Sequence, residues 1–247
     1  PSAIYLKDYK VPPFLIDKTE LTFELDEATT VVTSTLHMRR NPLDGKSNAP
    51  LILDGGEDVK LIGVALDGYA LPPEEYQLVD DKLIITATAD SFVLTCETLI
   101  EPQNNTRLEG LYRSSSMFCT QCEAEGFRHI TYYLDRPDVM SVFTTTIIAD
   151  EARYPVMLSN GNEVERGKTD EGKTVVVWHD PFPKPAYLFA LVAGDLAVKN
   201  DLFTTQSGRD VKLQIFTESH NIDKVDYAME ALKRSMRWDE ENYGREY

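Results

Sequence analysis

A chain of 247 residues, 42% apolar and 27% charged, is long enough to bury one large core and part of a second, and its composition excludes disordered, collagen-like and coiled-coil classes. The 41 acidic and 25 basic residues leave a net charge of -16, which repels phosphate backbones and anionic lipid, so neither nucleic acid nor membrane is an expected partner. No apolar run is long enough to cross a bilayer, residues 1–10 lack the apolar centre of a secretion signal, and three cysteines do not suggest a secreted disulfide framework, so a reducing cytoplasm is the expected location.

Period-two alternation dominates the first two-thirds of the chain. Leu21, Phe23 and Leu25 alternate with Thr22, Glu24 and Asp26, giving one apolar and one polar strand face. Val32, Leu36 and Met38, set among Thr33, Thr35 and His37, predict an antiparallel partner. Further strands are predicted over residues 59–66, ended by an Asp67-Gly68 turn, over 83–87, and over 92–100, where Phe92, Leu94 and Cys96 alternate. The pattern continues over 142–149, over 157–159 before an Asn160-Gly161 turn, over 174–178, and over 187–193 after the proline-rich link Asp180-Pro-Phe-Pro-Lys-Pro185. Residues 202–205 and 211–217 flank Gln206-Ser-Gly-Arg209 as the arms of a hairpin. The period then changes: Val225, Met229, Leu232 and Met236 recur at helical spacing, with Asn221 as the expected N-cap and Gly244 as the stop. These elements describe a mainly β fold, an antiparallel sheet or sandwich, followed by one helix whose single apolar stripe does not complete a core alone.

The densest polar cluster is Cys119-Thr-Gln-Cys-Glu-Ala-Glu-Gly-Phe-Arg-His129. Its Cys-x-x-Cys spacing suits redox chemistry or half a zinc site, but a redox pair expects a βαβ setting and zinc expects more ligands than His129 and Cys96 offer; free thiols packed as small hydrophobes are the expectation. None of His37, His129, His179 and His220 begins the His-Glu-x-x-His pair of a helical metalloprotease site, and no Gly-x-Ser-x-Gly, phosphate loop or dinucleotide fingerprint occurs in a suitable setting. By motif alone the chain is not a complete enzyme.

Gln121-x-Glu123-Ala124, followed by Arg128, Asp135 and Pro137, resembles the Q-x-E-A…R…D-x-P signature of the zinc aminopeptidases called aminopeptidase N. The run Glu125-Gly-Phe-Arg-His-Ile-Thr-Tyr-Tyr-Leu-Asp-Arg-Pro-Asp138 is similar to the bacterial branch often called alanyl aminopeptidase, as are Leu158-Ser159-Asn160, Trp178 and Tyr187-Leu-Phe-Ala-Leu-Val-Ala-Gly-Asp195. In that family a saddle-like antiparallel β domain precedes a thermolysin-like α+β catalytic domain. The resemblance therefore implies that residues 1–194 form the N-terminal β domain and that 195–247 supply the opening strands and first helix of the catalytic one. It also implies zinc, bound by residues beyond Tyr247, so no metal is expected on this chain and the chain alone is expected to be inactive. Glu123 would receive the protonated N-terminus of a peptide substrate, with Gln121 assisting, while Arg128 and Asp135 would order the loop. A monomer acting on peptides with a free N-terminus is the expectation; a non-catalytic interaction module built on the same β domain is the alternative, and Glu123 argues against it because such a module needs no amine anchor. A free-standing carbohydrate-binding or adhesion sandwich is disfavoured by the trailing helix.

Overall fold

The computed structural model describes residues 5–45, 49–86 and 89–247, so Ala87, the end of one expected strand, lies outside the described residues. The chain divides into two compact units, Pro1–Gly194 and Asp195–Tyr247.

Among the described residues the first unit is built from three sheets. The largest has eight strands in the order Asn162–Lys168, Thr174–Pro185, Met140–Ala149, Phe14–Leu25, Thr30–Arg40, Ser91–Ile100, Lys60–Leu66 and Tyr69–Ala70. Its pairs are antiparallel except at the centre, where Phe14–Leu25 runs parallel to Met140–Ala149. A register shift between Ile16 and Lys18 changes which side chains point inward: Phe14 and Ile16 are buried before it, and Thr19, Leu21 and Phe23 after it. That bulge hides the first half of the strand from a period-two reading, which starts it only at Leu21. Asp67 (φ 50) and Gly68 (φ 82) form the tight turn expected of them before Tyr69–Ala70.

The proline-rich link is a correction: residues 180–185 continue the strand Thr174–Pro185. Pairing to Asn162–Lys168 ends at His179, while Ser141 and Met140 still pair with Lys184 and Pro185 on the other side. Pro181, Pro183 and Pro185 thus occupy a stretch with one neighbour only, where a missing N–H is tolerated. The expected strand over 187–193 is also shortened, to Leu191–Gly194, because Ala186–Leu188 form a 3-10 turn.

A second sheet runs Val156–Ser159, Leu191–Gly194, Met117–Gln121, Gly110–Ser114, and a third runs Leu51–Asp54, Lys82–Ile85, Tyr76–Val79. An aromatic core lies beneath the polar motif: Phe127 meets Tyr133 edge-on at 4.7 Å and Phe189 at 5.4 Å, and Phe189 stacks on Phe23 at 5.8 Å.

In the second unit, Ala197–Thr204 and Asp210–Thr217 form the expected hairpin, and the helix Asp226–Tyr243 buries Met229 with Phe203, Val211 and Leu213. Leu232 is 38% exposed while Glu240 is buried, so the stripe differs from the one read at helical spacing. Asn221 does not cap the helix. It sits inside a 3-10 turn, Ser219–Lys224, where Lys224 Nζ donates to its side-chain oxygen at 2.6 Å, and Val225 precedes the helix without a side-chain cap. Gly244 does end the helix, with φ 62 and its N–H donating to the Glu240 carbonyl at 3.1 Å.

Candidate functional site

The polar motif begins at the end of an inner strand of the four-stranded sheet. Met117–Gln121 pairs with Gly110–Ser114 on one side and with Leu191–Gly194 on the other. Thr120 Oγ1 reinforces the second pairing, accepting from the Leu191 N–H at 2.8 Å. The last residue of the strand, Gln121, lies opposite Gly110 and is exposed.

Cys122 then turns inward and is buried, and the exposed stretch of Glu123, Ala124 and Glu125 follows. The Gly126 N–H donates to the Cys122 carbonyl at 2.8 Å, closing the turn, and the peptide bond between Glu123 and Ala124 is cis. Phe127, fully buried, fastens the far end of the turn into the aromatic core. Burying a side chain of this size contributes about 1.5 to 3 kcal/mol. Gln121 Nε2 donates to the Glu123 carbonyl at 3.3 Å, so the two candidate residues share one local framework.

Arg128 and Asp135 hold the segment that follows. Asp135 Oδ2 accepts from the Arg128 backbone N–H at 3.1 Å and from its Nε at 3.0 Å, while Arg128 Nη2 donates to the Asp135 carbonyl at 3.2 Å. Burial pushes the Asp135 carboxyl above its ordinary value, against the opposing pull of the Arg128 guanidinium. Glu125 adds a longer contact to Arg128 at 3.4 Å. Arg128, Asp135 and Glu125 are thus engaged with one another. The Glu123 carboxylate is exposed and, among the described residues, has neither a hydrogen-bond nor an ion-pair partner.

His129 points away from that carboxylate in its bonding: its Nδ1 lies 2.9 Å from Asp58 Oδ1 and its Nε2 3.6 Å from Glu109 Oε2. Among the described residues Cys96, Cys119 and Cys122 form no disulfide. Among the described residues no three His, Cys, Asp or Glu side chains gather as a metal site.

Leu158-Ser159-Asn160 staples the stretch before Leu191–Gly194 from the other side of the sheet. Ser159 Oγ donates to the Ala190 carbonyl at 2.8 Å, Asn160 Nδ2 donates to the Leu188 carbonyl at 3.0 Å, and Asn160 Oδ1 accepts from the Ala190 N–H at 2.8 Å. Trp178 Nε1 donates to the Met157 carbonyl at 3.1 Å. Motif residues scattered from 117 to 194 therefore lie on or beside one small sheet. Residue patterning did not reveal the strands Gly110–Ser114 and Met117–Gln121, since Met117-Phe-Cys-Thr-Gln121 has no clean alternation; nor did it reveal the close packing of Gly110 and Gly126.

The comparisons agree with this arrangement. Aminopeptidase N of Escherichia coli is 50% identical over 247 residues, covering 100% of this chain and 28% of that protein. Aminopeptidase N of Caulobacter vibrioides is 49% identical over the same length, again 28% of its own. The crystal structure of Legionella pneumophila aminopeptidase A in complex with aspartic acid superposes with a TM-score of 0.92 at 34% identity, covering 98% of this chain and 28% of that one. The chain thus spans about 28% of the length of the relatives it matches. Because the peptidase M1 N-terminal domain also matches residues 65–188, half of the sequence and the whole of the Gln121–Asp135 assembly, the chain belongs to the M1 aminopeptidase family, as its N-terminal part.

Proposed function

We propose that this chain supplies the amine-recognising part of a zinc aminopeptidase that removes N-terminal residues from peptides, with Glu123 receiving the substrate's protonated N-terminus and Gln121 assisting. One observation carries the reading: among the described residues the exposed Glu123 carboxylate has no hydrogen-bond or ion-pair partner, while Arg128 is engaged by Asp135 and Glu125, and the loop is fastened at both ends. An exopeptidase has to measure one residue from the chain end, and a carboxylate on a rigid support recognises a charge that internal peptide bonds lack. The Gln121 side chain, already directed at the Glu123 backbone, offers its amide oxygen beside the same cation.

On this reading the unit Asp195–Tyr247 opens a thermolysin-like catalytic domain, and zinc, which would activate water, is held by residues outside this chain. The chain alone then binds no stoichiometric zinc and cleaves nothing, while the full-length protein works as a cytoplasmic monomer. The test compares the two forms. The full-length protein is expected to hold zinc and to release the anilide from alanine anilide but not from its N-acetylated form, and the chain of 247 residues to do neither. Equal turnover of the acetylated and free substrates would contradict the amine anchor, and tightly held zinc on the isolated chain would contradict the division of labour.

A further inference from the structure

Gly126 is buried directly behind the loop that carries Glu123, and its backbone is ordinary, with φ -83 and ψ -17. Any residue adopts that conformation, so backbone freedom does not explain a glycine there. Space does. A Cβ built on Gly126 would lie 2.6 Å from the Gln121 carbonyl oxygen, 2.9 Å from the Cys122 Cα and 3.2 Å from the Gly110 nitrogen. All three are backbone atoms, which cannot swing aside as the tip of a side chain would. Gln121 is held by its pairing with Gly110, and its strand by pairing with Leu191–Gly194 at Phe118 and Cys119, so a methyl group at 126 has to displace the Gln121–Glu123 backbone itself.

We infer that Gly126 is a positioning residue for the Glu123 carboxylate: the absence of a side chain lets the turn close tightly enough to set where the anchor stands. This inference rests on the amine-anchor reading. It adds that the anchor works by position to within about an ångström, the scale on which misplacement of a binding group costs about tenfold or more. Gly110 completes the approach from the opposite strand. Its φ is 74, and a Cβ there would meet His129 Cβ at 2.8 Å and the Gly126 carbonyl at 3.2 Å.

The experiment is a double-variant cycle in the full-length protein at equal zinc occupancy, with steady-state kinetics on alanine anilide. Gly126→Ala is expected to lower kcat/KM about tenfold, chiefly through KM, since the anchor is misplaced while the chemistry is untouched. The double variant Gly126→Ala/Glu123→Gln is expected to be no worse than Glu123→Gln alone, because a misplaced anchor matters only while the anchor is charged. Multiplying losses in the double variant, or an unchanged Gly126→Ala, would overturn the inference. Glu123→Asp gives a second route that leaves the packing at 126 untouched: it draws the carboxylate back by one methylene and is expected to reproduce the Gly126→Ala loss. Should Gly126→Ala fail to fold, that variant decides alone, and full activity of Glu123→Asp beside an impaired Glu123→Gln would overturn the positioning argument. Unchanged kcat/KM in Glu123→Gln sinks the anchor reading itself, and the inference with it; a loss there with multiplicative Gly126→Ala sinks only the inference.

Discussion

Cys96 shows how far a single side chain is governed by its surroundings. It is fully buried in Ser91–Ile100, and burial pushes its thiol up to about 12. Cys122, at the base of the Glu123 loop, is raised further by the same cause and by the nearby Asp135 charge. The thiolate is the reactive form, so at about pH 8 neither residue is expected to react with iodoacetamide in the native chain, and both are expected to react in denaturant. Mass mapping of the alkylated peptides checks this; native labelling of Cys122 would mean that the turn closed by Gly126 opens readily. Cys119 and Cys122 share a spacing in the sequence but not an environment: Cys119, paired opposite Val192 within the strand, is half-buried, whereas Cys122, just past the strand end, is buried. The pair of Arg128 and Asp135 was likewise legible as two letters of a motif, whereas the three hydrogen bonds between them appear only in the fold.

At the scale of elements, packing separates two glycines with the same φ. Gly161 and Gly172 both have φ 83, yet a Cβ on Gly161 would stand 2.2 Å from the His179 carbonyl oxygen, and one on Gly172 would meet nothing within 4 Å. Gly172→Ala is expected to lose about 1 kcal/mol of stability from the left-handed backbone alone. Gly161→Ala adds a collision with backbone and is expected to lose about 1 to 3 kcal/mol more. Urea unfolding of the two variants measures the difference; equal losses would contradict the packing described for the turn after Val156–Ser159. The hairpin at Gln206-Ser-Gly-Arg209, the turn at Asp67-Gly68 and the helix stop at Gly244 were all legible in the sequence, since each depends on chemistry within a few residues, and Asn160-Gly161 was legible by residue type although its partners Leu188, Ala190 and His179 are distant. What was not legible depends on distant partners. The bulge at Ile16 and Lys18 reverses the alternation of Phe14–Leu25, the prolines at 181, 183 and 185 are accepted only because one neighbouring strand has ended, and Asn221 is drawn into a turn by Lys224.

At the scale of the whole molecule, the family resemblance singled out Gln121, Glu123, Arg128, Asp135 and Asn160 as motif residues, and the fold shows what local patterning could not: Gln121 ends an inner strand of the four-stranded sheet, and Asn160 bonds the stretch that leads into the neighbouring strand Leu191–Gly194. The mainly β first unit and the helix-bearing second are each accounted for by side-chain periodicity, and the parallel pairing of Phe14–Leu25 with Met140–Ala149 is the main feature that periodicity leaves open. The acidic surface, at a net charge of -16, agrees with a cationic recognition group on the substrate but does not select one, because charge acts at long range and an anchor acts at contact. Selection is assigned here to one carboxylate. A charge-assisted hydrogen bond of this kind contributes about 1.5 to 3 kcal/mol. The most direct measurement is therefore kcat/KM of the full-length protein and its Glu123→Gln variant, at equal zinc occupancy, on a peptide with a free N-terminus. The account predicts a loss of about one to two powers of ten, at 1.4 kcal/mol per decade, with fold and zinc content unchanged. An unchanged kcat/KM would contradict it and leave Glu123 an ordinary surface acid.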